Sequence, residues 1–285
     1  METIQFNDFN WTLYNKDNIS KGILQGIHWE PHLTKFIRAF LEEGDIAVDI
    51  GACFGWHTLE MSRAVGASGK VYAFEPQKNN ILLLNTNIER NGCSNVRVYG
   101  VGLGHKIMTS CICNAYFENE NNFGDSFISI NYERGINDIA IQENIVKGIH
   151  TLPLKKEIVS VIRLDDVSFI DTVKFMKIDV QGFEKMVIEG SVNTIRTHRP
   201  VFVIELEDPC MNIFGYSSKQ LIPYIMSLDY KLYFLEYEYP CDHVCVPTEK
   251  VEDFEKKFKG KIMPHTHNNS LNNNVINGVT QKIVL

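Results

Sequence analysis

Apolar residues follow two rhythms along this chain. Short runs rich in apolar residues at 46–50, 71–74, 173–178 and 201–204 predict core strands. Between them, Leu33, Phe36, Ile37, Phe40 and Leu41 recur at helical spacing, with Gly44 placed as a C-cap. Further helices are predicted over 58–65, 79–91, 184–190, 219–228 and 252–258, and further strands over 96–101, 157–162 and 231–235. Gly66 to Gly69 and Asn91-Gly92 punctuate the helices, and Pro76 stops the second strand, because proline cannot continue a central ladder. The order β-α-β-α-β implies a parallel sheet with right-handed crossovers, hence an α/β fold.

Three stretches break the rhythm. Residues 1–31 carry Trp11, Tyr14, His28 and Trp29 among polar residues, and predict short strands or turns packed as a lid or edge. Residues 104–157 predict an insertion or hairpin beside the sheet, with Phe127-Ile-Ser-Ile130 as an apolar centre. Residues 236–285 form an extension in which 268–277 is Asn-rich and expected to be mobile. A single domain follows: a lead-in at 1–44, a core at 45–235 and the extension.

Composition narrows this little. The 285 residues are 44% hydrophobic and 22% charged, ordinary for a globular protein. A net charge of −7 disfavours a nucleic-acid partner. No apolar stretch is long enough to span a membrane, and no basic-then-apolar start marks a signal peptide, so a cytoplasmic location is expected. Seven scattered cysteines read as reduced thiols. Cys111 with Cys113, and Cys241 with Cys245, lack the usual gap of structural zinc sites. Oligomeric state is left open.

The chemistry gathers where strands end. Asp49, Glu75, Asp179 and Glu205 close four strands and are expected along one rim, since parallel strands share their carboxyl edge. Asp49-x-Gly51-x-x-x-Gly55 is a strand, tight turn and helix start, without the Gly-x-Gly-x-x-Gly of a dinucleotide turn. Glu75 suits the ribose hydroxyls of an adenosine. Rim acids would repel a phosphate and suit a cation, which favours S-adenosylmethionine over NAD.

Val48-Asp-Ile-Gly-Ala-Cys-Phe-Gly-Trp-His-Thr58, Val71-Tyr-Ala-Phe-Glu-Pro76, Met176-Lys-Ile-Asp-Val-Gln-Gly-Phe-Glu184, Arg199-Pro200 and Glu205 resemble the FkbM family of class I methyltransferases. The resemblance implies a Rossmann-like sandwich with a mostly parallel seven-stranded sheet and helices on both faces. It also implies S-adenosylmethionine as donor and O-methylation, often of sugar hydroxyls on glycans or natural products. Two positions depart from the family: Cys53 stands where Asn is usual, and Gln181 where Glu is usual. The expected donor-binding set is Asp49, Gly51, Ala52, Cys53, Gly55, Trp56, His57, Thr58, Glu75, Pro76, Asn80, Gly102, Ser126 and Asp179.

A hydroxyl acceptor gains from a base within hydrogen-bond reach. Asp179 is the first candidate and His57 the second, with Glu205 orienting the acceptor or binding a divalent cation with Asp179. No dedicated metal site is expected. Glu30 reads as structural. Other readings are a binding or scaffold module, motivated by Gln181, and an NAD-dependent oxidoreductase. Asp208-Pro209-Cys210 follows the wrong strand for a cytosine methyltransferase nucleophile, and Asp179-Val-Gln-Gly is not the turn of an amino methyltransferase.

Overall fold

The structure is a computed structural model, and it describes residues 1–114, 126–129, 155–235, 242–264 and 279–285. The chain opens with a hairpin of β1 (Glu2–Phe6) and β2 (Phe9–Leu13). Its two-residue loop, Asn7-Asp8, has positive φ at both positions, the geometry that matches strand twist in tight hairpins. Helices α1 (Asn18–Leu24) and α2 (Pro31–Phe40) follow. Helix α2 buries Leu33, Phe36, Ile37 and Phe40 as its spacing predicts, and Phe36 stacks on Phe258 at 5.4 Å. Gly44 is not its cap. The helix ends at Leu41 in extended conformation, and Gly44 turns the chain with φ +93°, donating its N–H to Val65 O.

The core then alternates. Strand β3 (Ile46–Ile50) leads to α3 (Trp56–Val65), β4 (Lys70–Phe74), α4 (Lys78–Arg90) and β5 (Val96–Tyr99). After an excursion come β10 (Val173–Ile178), α5 (Glu184–Glu189), α6 (Val192–His198), β11 (Val201–Glu205), α7 (Asp208–Asn212), α8 (Ser218–Met226) and β12 (Tyr230–Leu235). Strand β13 (Asp242–Pro247), α9 (Val251–Lys257), β14 (Ile262–Pro264) and β15 (Gln281–Ile283) close the chain.

Among the described residues the main sheet has nine strands, in the order β14-β15-β12-β13-β11-β10-β3-β4-β5. The expected seven run from β12 to β5. The run β11-β10-β3-β4-β5 is parallel, and β13 is antiparallel to both its neighbours. The extension supplies the other two, β15 parallel to β12 and β14 antiparallel to β15. Neither carries a long apolar run, so the pattern of the sequence gives no sign of them. Two apolar clusters flank the sheet: Val48, Ile50, Phe74, Met176, Ile178 and Ile204 face one layer, and Ala47, Phe175, Val203, Tyr233 and Val244 face the other.

The excursion forms a second sheet, β6-β9-β7-β8, from β6 (Gly102–Leu103), β7 (Met108–Asn114), β8 (Phe127–Ser129) and β9 (Lys155–Ile162). The predicted strands at 96–101 and 157–162 therefore belong to different sheets, and the first stops at Tyr99. The Asn-rich stretch at 268–277 and Cys241 lie outside the described residues, as do Gly124 and Asp125.

Candidate active site

Register explains why the acids meet. Ile50, Phe74, Ile178 and Ile204 are aligned across β3, β4, β10 and β11. The next residues, Gly51, Glu75, Asp179 and Glu205, therefore share one level at the carboxyl edge. Asp49 lies two levels lower, paired with Lys177. Successive residues of a strand face opposite sides, so Asp49 and Lys177 share a side. Asp49 is thus a buried residue beneath the rim. Thr58 Oγ1 donates to its Oδ2 at 2.5 Å, and Lys177 Nζ stands 3.7 Å from its Oδ1.

The turn after β3 is close-packed. A Cβ on Gly51 would lie 1.8 Å from Asp179 O, and Gly51 holds φ +84°. Cys53 also sits in the left-handed region, φ +49°, which Asn tolerates better than most residues. Its N–H and that of Gln77 donate to the two Glu75 oxygens at 2.9 and 2.8 Å. Asn80 also bonds to Glu75. Burial pushes the Glu75 carboxyl up to about 7 against these hydrogen bonds and the Lys177 charge. Gly55, φ +99°, precedes α3. The Gln77 amide donates to Ser126 Oγ at 3.0 Å, while its own oxygen is buried with no hydrogen-bond partner among the described residues. Gly102 has no room for a Cβ against Ile128 and lies beside Pro76. Ala52 is buried and donates its N–H to Phe74 O.

Trp56 stands apart from this group. Its ring stacks on Trp11 at 4.9 Å in the N-terminal cluster, and its Nε1 donates to Trp29 O at 3.0 Å.

Lys177 is the central residue that the sequence reading passed over. Its ammonium lies 3.1 Å from Asp179 Oδ2 and 3.2 Å from Gly51 O. Burial opposes its charge, but Asp179, Asp49 and Glu30 together raise its pKa. The signal was present in the sequence: Lys177 shares strand parity with Val173 and Phe175, both wholly buried. A lysine on a buried face implies a charged partner.

Beyond Lys177, the Gln181 amide nitrogen donates to Asp179 Oδ1 at 3.1 Å and Glu205 Oε2 at 3.2 Å. The amide of Gln181 bridges the two carboxyl groups. Burial disfavours the Asp179 carboxylate, but Lys177 and the hydrogen bonds from Glu205, Lys177 and Gln181 hold its pKa below the usual range. Glu205 moves the other way, raised by burial and by Asp179, Asp242, Glu30 and Glu207. Two neighbouring acids with pKa values pushed apart can divide roles, one ionised and one carrying a proton. Among the described residues, no three His, Cys, Asp or Glu side chains form a group suited to a metal ion.

His57 joins from α3. Its Nε2 lies 2.7 Å from Glu30 Oε2, which makes Glu30 part of the site. Arg199 does not belong here. It caps α6, and its guanidinium binds Leu228 O, Asp229 O and Glu249. Cys210 sits near Gln181 with its thiol raised by burial and by Glu207, which keeps it protonated and a poor nucleophile.

A methyltransferase FkbM domain model matches residues 49–232. The chain belongs to the FkbM methyltransferase family. The match spans both turns, Asp49 and the rim acids Glu75, Asp179 and Glu205. Among solved structures the FkbM chain is similar to a methyltransferase FkbM from Methylobacillus flagellatus KT, at 17% identity and TM-score 0.47, covering 82% of this chain and 48% of that one. This chain thus spans about half the length of that structure. It is also similar to a SAM-dependent O-methyltransferase from Thermotoga maritima, at 14% identity and TM-score 0.43, covering 86% and 77%. A SAM-dependent methyltransferase from Aquifex aeolicus matches at 14% identity and TM-score 0.42, covering 76% and 88%. Among curated proteins none matches it. No helix among the described residues is long and apolar enough to cross a membrane.

Proposed function

We propose that this FkbM domain is an S-adenosylmethionine-dependent O-methyltransferase acting on a sugar or glycan hydroxyl. The residues fit such a donor. Beyond its bonds from Cys53, Gln77 and Asn80, Glu75 keeps an acceptor site for a ribose hydroxyl. The unpartnered Gln77 oxygen is a buried acceptor beside it, suited to an adenine amino group. The donor supplies an electrophilic methyl group on a sulfonium. Asp49, Lys177 and Gly51 fix the floor of the turn, so the crevice is shaped before anything binds.

The observation that carries the acceptor half is the Asp179–Gln181–Glu205 bridge at the same sheet level as the donor turn. Paired carboxyl groups can accept hydrogen bonds from adjacent hydroxyls and hold one at attack distance. Such positioning supplies roughly 7–11 kcal/mol in favourable cases. Calorimetry with S-adenosylhomocysteine, followed by methyl-label transfer to a panel of methyl glycosides, tests both halves. Binding lost in Glu75→Ala and label found on a hydroxyl are expected. Donor binding without any transfer would instead identify a binding module, and preference for NAD would overturn the donor.

A further inference from the structure

Asp179 is poorly placed to carry away the acceptor's proton. One oxygen is held by Lys177 and the other by Gln181, and its pKa is depressed. The His57–Glu30 pair has the opposite character. Glu30 occupies the N-cap of α2 in left-handed conformation, φ +40°, at the end of a strap formed by residues 28–30. The strap is tied down: Trp56 Nε1 donates to Trp29 O, and Asn7 links His28 to the hairpin. Glu30 thereby reaches His57 Nε2 at 2.7 Å. Both side chains are largely buried, 6% and 20% exposed.

The other ring nitrogen is the informative atom. His57 Nδ1 is buried and has no hydrogen-bond partner among the described residues. An ionised Glu30 accepting from Nε2–H leaves Nδ1 as a bare lone pair. A buried acceptor left unpaired costs about 1–3 kcal/mol, a cost that a bound hydroxyl would remove. Glu30 also couples the pair to the rim. The Glu30 charge acts on both Lys177 and Glu205, and that of His57 acts on His28. His28 on the strap, Lys177 on β10 and Glu205 on β11 interact with the pair, with Glu60 and Arg38 acting on His28 and Asp242 of β13 on Glu205.

We propose that His57 accepts the acceptor hydroxyl's proton on Nδ1, and that Glu30 is the positioning residue that sets its tautomer and balances the resulting imidazolium. The inference rests on the O-methyltransferase reading. The hydroxyl O–H bond breaks to Nδ1 as the new C–O bond forms, and the S–C electron pair stays on sulfur, leaving a neutral thioether. His57 then releases the proton to water. Asp179 and Glu205 orient the hydroxyl and are not consumed in the step.

The first test needs no acceptor. Long-range ¹H–¹⁵N NMR of the full chain with S-adenosylhomocysteine, with His57 assigned by its loss in His57→Gln, should show Nε2 protonated and Nδ1 bare. Glu30→Gln should mix the tautomers. A protonated Nδ1 in the wild type overturns the proposal. The second test follows methyl-label transfer to methyl glycosides. His57→Gln should lower kcat by about 10²–10⁴, and Glu30→Gln should shift the pH profile of kcat. Wild-type transfer with an undiminished His57→Gln rate overturns the base alone. Failure of the wild type to methylate any hydroxyl overturns the O-methylation reading, and the base falls with it.

Discussion

Gly51 and Asp179 touch through their backbones: a Cβ on Gly51 would stand 1.8 Å from the Asp179 carbonyl oxygen. Gly51→Ala therefore forces the turns after β3 and β10 apart, and also strains a φ of +84°. A loss of about 2–4 kcal/mol is expected in urea unfolding, together with loss of donor binding in calorimetry. An alanine variant with wild-type stability would show that the two turns are not in contact.

Lys177 is the cation paired with both Asp49 and Asp179 among the described residues. Lys177→Met leaves buried carboxylates uncompensated, at a cost of about 3–5 kcal/mol near pH 7. The folded-state pKa of Asp179 is depressed, so its contribution is present above the unfolded pKa and lost as pH falls through the folded one. The gap between wild type and variant should therefore narrow in acid. Denaturation at pH 7 and at a pH well below the ordinary Asp value of 3.8 measures it, and a gap that stays constant would contradict the assignment.

Glu184 behaves in the opposite sense. It accepts the N–H groups of Val180 and Gly182, yet burial raises its carboxyl to about 7. The folded state then holds a proton that the unfolded state gives up between about pH 4.5 and 7, so stability falls as pH rises through that window. Glu184→Gln keeps the oxygen acceptor and removes the charge. Its melting temperature should match the wild type near pH 4.5 and exceed it at pH 8, by on the order of 1–3 kcal/mol in stability. Equal pH slopes would refute this.

Gln181→Glu would set a third carboxylate between Asp179 and Glu205. The amide that now donates to both would become a like charge. A loss of roughly 1–3 kcal/mol is expected, recovered in part by millimolar Mg²⁺, since clustered oxygens bind hard cations. Thermal melts with and without Mg²⁺ decide it, the wild type serving as the unresponsive control.

The parallel half of the sheet was legible because strands covered on both sides must be apolar on both faces, and β3 is buried at every position. Their ends fixed the level of Glu75, Asp179 and Glu205. Asp49 sits two residues short of the rim level, on the same side of β3 as Gly51 but buried beneath it. Trp56 follows Gly55 in the donor motif, yet its ring joins the hairpin cluster, because the contacts of Trp11 lie more than forty residues away in sequence. Glu30 and Lys177 were missed for the same reason. Each takes its meaning from a partner on another element. Strands β14 and β15 are only three residues long, too short for any pattern to show.

The second sheet is stitched to the turn after β4 at two points. Glu157 of β9 accepts the first N–H of α4 at 3.1 Å, and Ser126 beside β8 accepts from Gln77. On the proposed reading of the site, any exchange of this excursion between relatives would change the contacts to Gln77 and Lys78 beside Glu75. A chimera built to change the acceptor would be retuned for its donor as well, so its donor affinity must be measured afresh before any shift in selectivity is credited to the graft.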